Sequence, residues 1–237
     1  MKKIKFTDII ISETQDYIFV NKPAFTATLA DRNDKVNISD LAKSYWEDAQ
    51  VCHRLDKETS GVLAIAKNPD AYRHLSIQFE KRLVSKEYHA VIDGIHNFQN
   101  ERVDAALNTK GNGQVKIDKK DGKDALTHFD TITAYRQHTL VRCKPTTGRM
   151  HQIRVHLSQL KAPITGDDQY GGKPFYLSSV KKKYNLKQWT EEQPLMKRFA
   201  LHAFALGFAL PNGEMTKIEA PYPKDMRVLV NQLAKNV

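Results

Sequence analysis

The sequence predicts an α+β protein with a largely antiparallel, mixed β-sheet and flanking helices. Short apolar or alternating segments recur along the chain and are separated by turn-forming residues, as at 211–214. Capped helical patterns are interspersed among them, and residues 62–66 are apolar on both faces, as expected of a central strand. Adjacent strands joined by short turns pair antiparallel, which favours this class over a parallel α/β fold.

The N-terminal region is expected to start with a strand pair and a helix. Residues 9–12 and 17–21 flank a polar turn and predict two paired strands. Asn37 or Ser39 is expected to cap the helix that follows. Its apolar side carries Leu41, Ala42, Tyr45 and Trp46.

The next elements are a strand at 62–66, a helix and a second strand. Asn68 followed by Pro69 is a strong helix start, because asparagine caps free amides and proline suits the first helical position. Residues 87–93 alternate, which predicts a strand with Tyr88 on one face and His89 on the other.

The C-terminal half is predicted to continue in the same style. Residues 108–124 are rich in Lys, Gly, Asn and Asp and predict surface hairpin turns. Strands are expected at 125–135 and 139–144, and at 201–210 and 215–220, which flank a turn. Helices are expected after Thr147-Gly148, ending at Pro163, and from Asp225. Without repeats or a linker, residues 1–237 predict a single domain.

The composition of the chain indicates which classes of partner and compartment to expect. Its 237 residues contain 37 Lys and Arg against 27 Asp and Glu, a net charge of +10, which favours a polyanionic partner. No apolar run is long enough to span a bilayer, and no secretory signal or obligate protein partner is indicated. Cys52 and Cys143 are isolated, so neither a disulfide framework nor a zinc site is expected, and we expect a cytoplasmic protein.

The most informative segment is 53–61, His-Arg-Leu-Asp-Lys-Glu-Thr-Ser-Gly. It places one carboxylate, Asp56, next to an arginine and ahead of a turn, as an enzyme that cleaves glycosidic bonds on a polyanion requires. A surface ion pair or a turn-forming aspartate is an equally good interpretation of these residues alone.

Three further segments extend this pattern: Ser-Lys-Glu-Tyr-His-Ala-Val-Ile-Asp-Gly at 85–94, Thr-Gly-Arg-Met-His-Gln-Ile-Arg-Val-His at 147–156, and Ile-Thr-Gly-Asp-Asp-Gln-Tyr-Gly-Gly at 164–172. Together with 53–61, and in this order, they resemble the RluA-type RNA pseudouridine synthases. The resemblance implies the pseudouridine synthase catalytic fold with a central RNA-binding cleft, here as a stand-alone catalytic domain without a separate N-terminal RNA-binding module.

The resemblance also implies the chemistry. Uridine becomes pseudouridine when the N1–C1′ bond breaks, the uracil turns, and C5 joins C1′. No redox change occurs and no cofactor or metal is expected. Asp56 would be the essential carboxylate, attacking C1′ or C6 or taking the C2′ proton, and Arg154 would keep it ionised. Tyr88 would stack on the uracil and assist removal of the C5 proton.

Contacts to RNA are expected as well, and the roles of Arg54, Lys86 and Asp168 follow from the resemblance. Arg54 would enter the space left by the flipped base. Arg149 is expected to contact a phosphate, and Gln152 lies beside it. His53 is expected either to contact a phosphate or to make a structural hydrogen bond. Lys86 is also placed among the RNA-binding residues, with a supporting role that it shares with Asp168. The Lys-rich segment 173–198 is either an RNA contact or a solvated loop.

The expected substrate is a structured stem-loop in ribosomal RNA or tRNA. Two other functions remain open at this point. The first is a catalytically inactive RNA-binding or chaperone protein with the same fold, which would need basic side chains but would have no use for Asp56. The second is a nucleoside or glycoside hydrolase, which usually needs a second carboxylate as an acid.

Overall fold

The structure is a computed structural model that describes residues 4–30, 36–110, 113–181, 184–185 and 190–236. Within those ranges the chain forms twelve β-strands and four α-helices, with short 3-10 turns between some of them. Two compact units are distinguished, Met1–Glu87 with His202–Pro221 and Tyr88–Leu201 with Tyr222–Val237. The single domain expected over residues 1–237 stays a prediction.

In chain order, the strands are β1 (Ile10–Glu13), β2 (Tyr17–Lys22), β3 (Gln50–Val51), β4 (Ser60–Ala66), β5 (Ser85–Asp93), β6 (Glu101–Asp104), β7 (Leu107–Thr109), β8 (Val115–Ile117), β9 (Leu126–Ala134), β10 (His138–Pro145), β11 (Leu201–Ala209) and β12 (Met215–Glu219). The helices are α1 (Ile38–Tyr45), α2 (Pro69–Glu80), α3 (Gln152–Gln159) and α4 (Lys224–Lys235).

In the first unit the sheet is built around β4. Strand β2 pairs antiparallel with β4 along its whole length, from Tyr17 opposite Ala66 to Lys22 opposite Gly61. Strand β1 pairs with β2, and β3 and β11 also pair with β4, β11 in parallel at its start. Strand β12 pairs antiparallel with β11. All seven residues of β4 are buried, as its apolar sequence predicts for a central strand.

The two helices of this unit begin at the predicted caps. The Asn37 side chain accepts a hydrogen bond from the amide of Asp40 at 2.9 Å. At the start of α2, the Asn68 side chain accepts from the amide of Ala71 at 2.8 Å, with Pro69 in the first turn. Each cap satisfies an amide that has no partner within the helix, which fixes the helix start.

In the second unit, the strands β5, β10, β9 and β6 pair in that order, all antiparallel. Strands β7 and β8 form a separate hairpin. The core of this unit lies between the sheet and helices α3 and α4, with Leu157 and Leu229 fully buried in it. The strand pairing in both units confirms the predicted α+β class with largely antiparallel strands.

Two segments differ from the sequence-based expectation. Strand β6, Glu-Arg-Val-Asp, was not predicted, because only Val103 of its four residues is buried and a charged edge strand lacks apolar alternation. The expected turns at 108–124 contain the short strands β7 and β8. Lys182, Lys183 and Trp189 of the Lys-rich segment lie outside the described residues. Over the part of the chain that the structure describes, no helix is long and apolar enough to cross a membrane.

Candidate active site

The loop that carries Asp56 is clamped on both sides of that residue. The Thr28 hydroxyl donates to the carbonyl of Leu55 at 2.9 Å and accepts from the amide of Leu55 at 3.1 Å. The Lys22 ammonium group donates to the carbonyl of Lys57 at 3.1 Å. Asp56, half-buried between these two residues, accepts a backbone bond from the amide of Thr59. Its main chain is therefore fixed by its neighbours.

Lys22 is the less expected part of this clamp. Its side chain is fully buried at the end of β2, and its ammonium group also donates to the carbonyls of Pro23 and Thr26 at 3.2 and 2.9 Å. A buried ammonium is costly unless it is hydrogen-bonded, and three carbonyls supply acceptors here. This role was not predicted from the sequence, in which Lys22 ends an apolar strand just before Pro23.

The exit from the loop into β4 depends on close backbone packing. Gly61 has a positive φ of 121°, and a Cβ atom there would lie 2.1 Å from the carbonyl oxygen of Ala203. Next to it, the buried His202 donates from Nε2 to the Ala220 carbonyl, so its Nδ1 accepts from the Ser60 hydroxyl at 2.9 Å. The strand after Asp56 is thereby locked to β11.

His53 makes the structural hydrogen bond that was one of its two expected roles. Its Nε2 accepts from the amide of Ala64 at 3.1 Å, and its ring packs 5.1 Å from the Phe79 ring. Burial, assisted by the charge of Lys86, lowers the pKa of His53 to about 3. The ring is therefore neutral at physiological pH and supports the loop, and the alternative of a phosphate contact stays a prediction.

Cationic side chains lie beside this loop. Arg54 and Lys57 are exposed, and together with residues 27–30 and Leu55 they line a cavity of about 290 Å³. Lys86, at the start of β5, is half-buried. Burial, and then the charge of Arg82, lowers the pKa of Lys86 to about 8.

In the second unit, the Arg154 side chain is buried and is held by hydrogen bonds and ring contacts. It lies on α3 with 5% exposure, and its Nε and Nη2 donate to the two carboxylate oxygens of Asp167 at 2.6 and 2.7 Å. Gln169 accepts a further bond from Nη2 at 3.1 Å. The guanidinium carbon lies 4.8 Å from the ring centre of Tyr170 and 4.3 Å from that of Phe199.

Asp167, next to Asp168, is the aspartate that pairs with Arg154, and the supporting role expected of Asp168 stays a prediction. Asp167 is 1% exposed, whereas Asp168 is exposed. Gly166, with a φ of 82°, makes the turn before Asp167, and its Cβ would meet the Arg198 carbonyl at 2.7 Å. The sequence gives two adjacent aspartates after a glycine, and only the turn decides which one points inward.

Gln152 is a structural residue, which corrects its expected place among the RNA contacts. It is 3% exposed, and its amide oxygen accepts from the Thr147 hydroxyl and the Arg149 amide. Its amide nitrogen donates to the Leu126 carbonyl and the Thr127 hydroxyl. All four hydrogen-bonding positions of the side chain are therefore filled by protein.

Arg149 and Tyr88 both keep part of their surface accessible, and their expected roles stay predictions. Arg149 is exposed just before α3, and its Nε donates to the Asp124 carbonyl at 3.0 Å. Tyr88 is half-buried on β5, opposite Cys143 of β10. The structure thus groups His53, Arg54, Asp56 and Lys86 in the first unit, and Tyr88, Arg149, Gln152, Arg154 and Asp167 in the second.

Among the residues that the structure describes, no group of three or more His, Cys, Asp or Glu side chains could hold a metal ion. His156, near Arg154, is tied to the Thr127 hydroxyl and the Ala105 carbonyl, and burial lowers its pKa. Burial raises the pKa of the Cys52 thiol to about 12, so this thiol is not an activated nucleophile.

Comparisons with known proteins point to one family. A family profile described as RNA pseudouridylate synthase matches residues 16–159. The chain is 34% identical to the RNA pseudouridine synthase YlyB of Bacillus subtilis (strain 168), over 96% of this chain and 73% of that protein. It is 33% identical to ribosomal large subunit pseudouridine synthase C of Escherichia coli (strain K12), over 98% of this chain and 72% of the relative.

A solved structure shares the fold. The human RNA pseudouridylate synthase domain containing 4 superposes with a TM-score of 0.75 at 25% identity, covering 97% of this chain and 94% of that one. The pseudouridine synthase catalytic fold expected from the motifs is therefore confirmed.

Proposed function

The chain belongs to the RluA-type RNA pseudouridine synthases, which are isomerases, and we propose that it converts a specific uridine of ribosomal RNA or tRNA to pseudouridine with Asp56 as the essential carboxylate. The observation that carries the proposal is the clamp on the Asp56 loop. Lys22 and Thr28 fix the residues on both sides of Asp56, so the main chain that carries its carboxylate is held in place.

The clamp fits the chemistry because each open route demands a carboxylate held in one place. Asp56 would attack C1′ or C6, or would remove the C2′ proton, and each requires its oxygen to lie within van der Waals reach of one substrate atom. The N1–C1′ bond then breaks, and the C5–C1′ bond forms after the uracil has turned. The C5 proton leaves in the last step and N1, released from C1′, gains a proton, so substrate and product contain the same atoms.

Arg154 is proposed as the cation that partners Asp56 in the RNA-bound enzyme. A guanidinium near a carboxylate favours its charged form when RNA excludes water. Asp167, Tyr170 and Phe199 support this role, because they hold the Arg154 side chain in one orientation.

Tyr88 is proposed to stack on the flipped uracil and to assist removal of the C5 proton. Its half-buried place on β5 supports this role, since a strand holds the ring while one side stays accessible. Arg54, exposed next to the Asp56 loop, would fill the space that the flipped base leaves. Base flipping costs about a few kcal/mol, and an inserted guanidinium offsets part of that cost.

RNA affinity is proposed to rest on Arg54, Lys86 and Arg149 together with the net positive charge. A structured stem-loop is the proposed partner, because recognition of a folded RNA by phosphate contacts fits a dispersed set of cations. The relatives named as ribosomal large subunit synthases favour ribosomal RNA as the first substrate to test. A cytoplasmic location is proposed for the enzyme.

The test is to incubate the purified protein with ribosomal RNA and with tRNA that lack modifications, and to map pseudouridine at single-nucleotide resolution. New pseudouridine at one or a few defined positions, absent with Asp56→Asn, supports the proposal. Binding without new pseudouridine would favour the inactive RNA-binding protein, and release of free uracil would favour a hydrolase. Both results would overturn the isomerase assignment.

A further inference from the structure

We propose that Tyr170 is a positioning residue that aims the Arg154 guanidinium. The inference deepens the proposed function and rests on it, because Arg154 is given its role there. The Tyr170 ring centre lies 4.8 Å from the guanidinium carbon, on which the Phe199 ring also packs at 4.3 Å. An aromatic face attracts a cation, so both contacts are favourable and restrict the guanidinium plane.

The Tyr170 ring is itself fixed by its hydroxyl. The oxygen accepts from the amide of Val115 on β8 at 3.3 Å and lies 2.8 Å from Nδ1 of His151. The His151 and Tyr170 rings meet edge to face at 5.7 Å. These contacts tie the ring to a hairpin strand on one side and to the start of α3 on the other, so the ring has little freedom to rotate or tilt.

Through its contact with His151, Tyr170 is also connected to the start of α3, the helix that carries Arg154. His151 has a positive φ of 53° immediately before α3, a left-handed conformation that costs a non-glycine residue free energy. The hydrogen bond to Tyr170 helps to hold this turn. Tyr170 therefore acts on Arg154 at two levels, through the guanidinium directly and through the first turn of its helix.

Asp167 and Tyr170 restrict different motions of Arg154. The bidentate pair with Asp167 fixes the in-plane direction of the guanidinium. The ring restricts movement out of that plane. Asp167 compensates the charge of Arg154, but without the Tyr170 ring only Phe199 would restrict movement of the guanidinium out of its plane. We therefore assign Tyr170 a role in the chemical step in addition to its packing against the small cluster around Val115 and Val155.

The experiment compares Tyr170→Phe with Tyr170→Leu. Phenylalanine keeps the ring and loses the hydroxyl, whereas leucine loses both. The single-turnover rate at saturating RNA should fall about twofold to tenfold with Phe and about threefold to thirtyfold or more with Leu, because a lost hydrogen bond or cation–π contact has that value. RNA affinity, measured by filter binding, should stay within about threefold of the wild type.

A control separates this role from general loss of a tyrosine hydroxyl. Tyr45→Phe removes an exposed hydroxyl that bonds to Glu13 and should leave the rate unchanged. A double-mutant cycle with Arg154→Lys tests whether Tyr170 acts through Arg154. The rate loss from Tyr170→Leu should be smaller in the Arg154→Lys background, since the guanidinium it aims is gone.

The contrary results are distinct. A wild-type rate in Tyr170→Leu, additive losses in the cycle, or losses that match the fall in folded fraction or RNA affinity would overturn the inference. If the leucine variant does not fold, the phenylalanine variant decides, and an unchanged rate there overturns it. Activity in Asp56→Asn would instead refute the proposed role of Asp56, so the two failures can be told apart.

Discussion

Arg154 and Asp167 form a bidentate ion pair that is almost completely buried. The Nε–Oδ2 and Nη2–Oδ1 distances are 2.6 and 2.7 Å, and the side chains are 6% and 1% exposed. Such a pair stabilises the charged guanidinium in a place where water cannot. It also means that the orientation of Arg154 is set by a residue thirteen positions further along the chain.

Asp167→Asn should destabilise the protein by about 3–5 kcal/mol, because a buried guanidinium then lacks its counter-charge. Urea unfolding followed by circular dichroism measures this. Glu219→Gln is the matched control, since Glu219 pairs with Lys217 on the surface and both are more than half exposed. That substitution should cost no more than about 1 kcal/mol. Equal losses in the two variants would contradict the importance of the buried pair.

Asp56→Asn should abolish isomerisation while leaving RNA affinity within about tenfold of the wild type, because phosphate contacts dominate binding. Asparagine keeps the size of the side chain and removes its charge and nucleophilicity. Pseudouridine formation is followed by mapping and affinity by filter binding on the same RNA. Retained turnover in this variant would refute Asp56 as the essential carboxylate.

Arg54→Ala should slow base flipping more than it weakens RNA binding, since the guanidinium is proposed to occupy the space that the uracil vacates. Fluorescence of a base analogue next to the target uridine reports flipping in stopped-flow. Lys57→Ala is a suitable comparison, because Lys57 is also exposed and cationic on the same loop. Equal effects on flipping and affinity for Arg54→Ala would count against its proposed role.

Lys86 should make RNA affinity depend on pH. Its pKa is lowered to about 8, so the side chain is charged below that pH and loses its charge as the pH rises through it. RNA affinity should therefore weaken between about pH 7 and 9, and the loss should not exceed the contribution of one contact with a phosphate. Lys86→Arg keeps its charge over this range and should flatten the profile. The same pH dependence in both proteins would exclude Lys86 as a phosphate contact.

Substitution of Arg149 should change RNA binding, whereas substitution of Gln152 should change the stability of the protein. Arg149→Ala should lower RNA affinity, and should reduce the slope of its salt dependence by about 0.7–0.9, with little effect on stability. Gln152→Leu should destabilise the protein by about 2 kcal/mol or more, because each of several buried partners loses one of its hydrogen bonds. An unchanged salt slope in Arg149→Ala would remove Arg149 from the RNA contacts.

Most secondary structure was predictable because its signals are local. Asn68 and Pro69 mark the start of α2, and the 211–214 turn separates β11 from β12, within one residue of expectation at the strand ends. Strand β6 was not predicted because its stability comes from pairing with β9. The sequence of a short charged segment does not indicate such pairing.

The residues of the candidate site were likewise predictable only where local motifs mark them. Asp56, Tyr88 and Arg154 were selected from motifs, and their roles stay predictions. Gln152 was expected at the RNA, and His53 either there or in a structural hydrogen bond. The hydrogen bonds of both side chains go to protein groups that lie elsewhere in the chain. Asp167 was passed over for its neighbour, since two adjacent aspartates in a turn are equivalent until the turn is folded.

The sequence by itself determined the family, the fold class and the residues that carry the motifs, because side-chain periodicity, helix caps and motif spacing are properties of neighbouring residues. Only the tertiary structure decided which polar groups are buried and what each one contacts. Lys22 bonding to the Lys57 carbonyl and Tyr170 packing on Arg154 are examples. Such contacts depend on distances between segments that packing of the whole core brings together, and no local pattern encodes them.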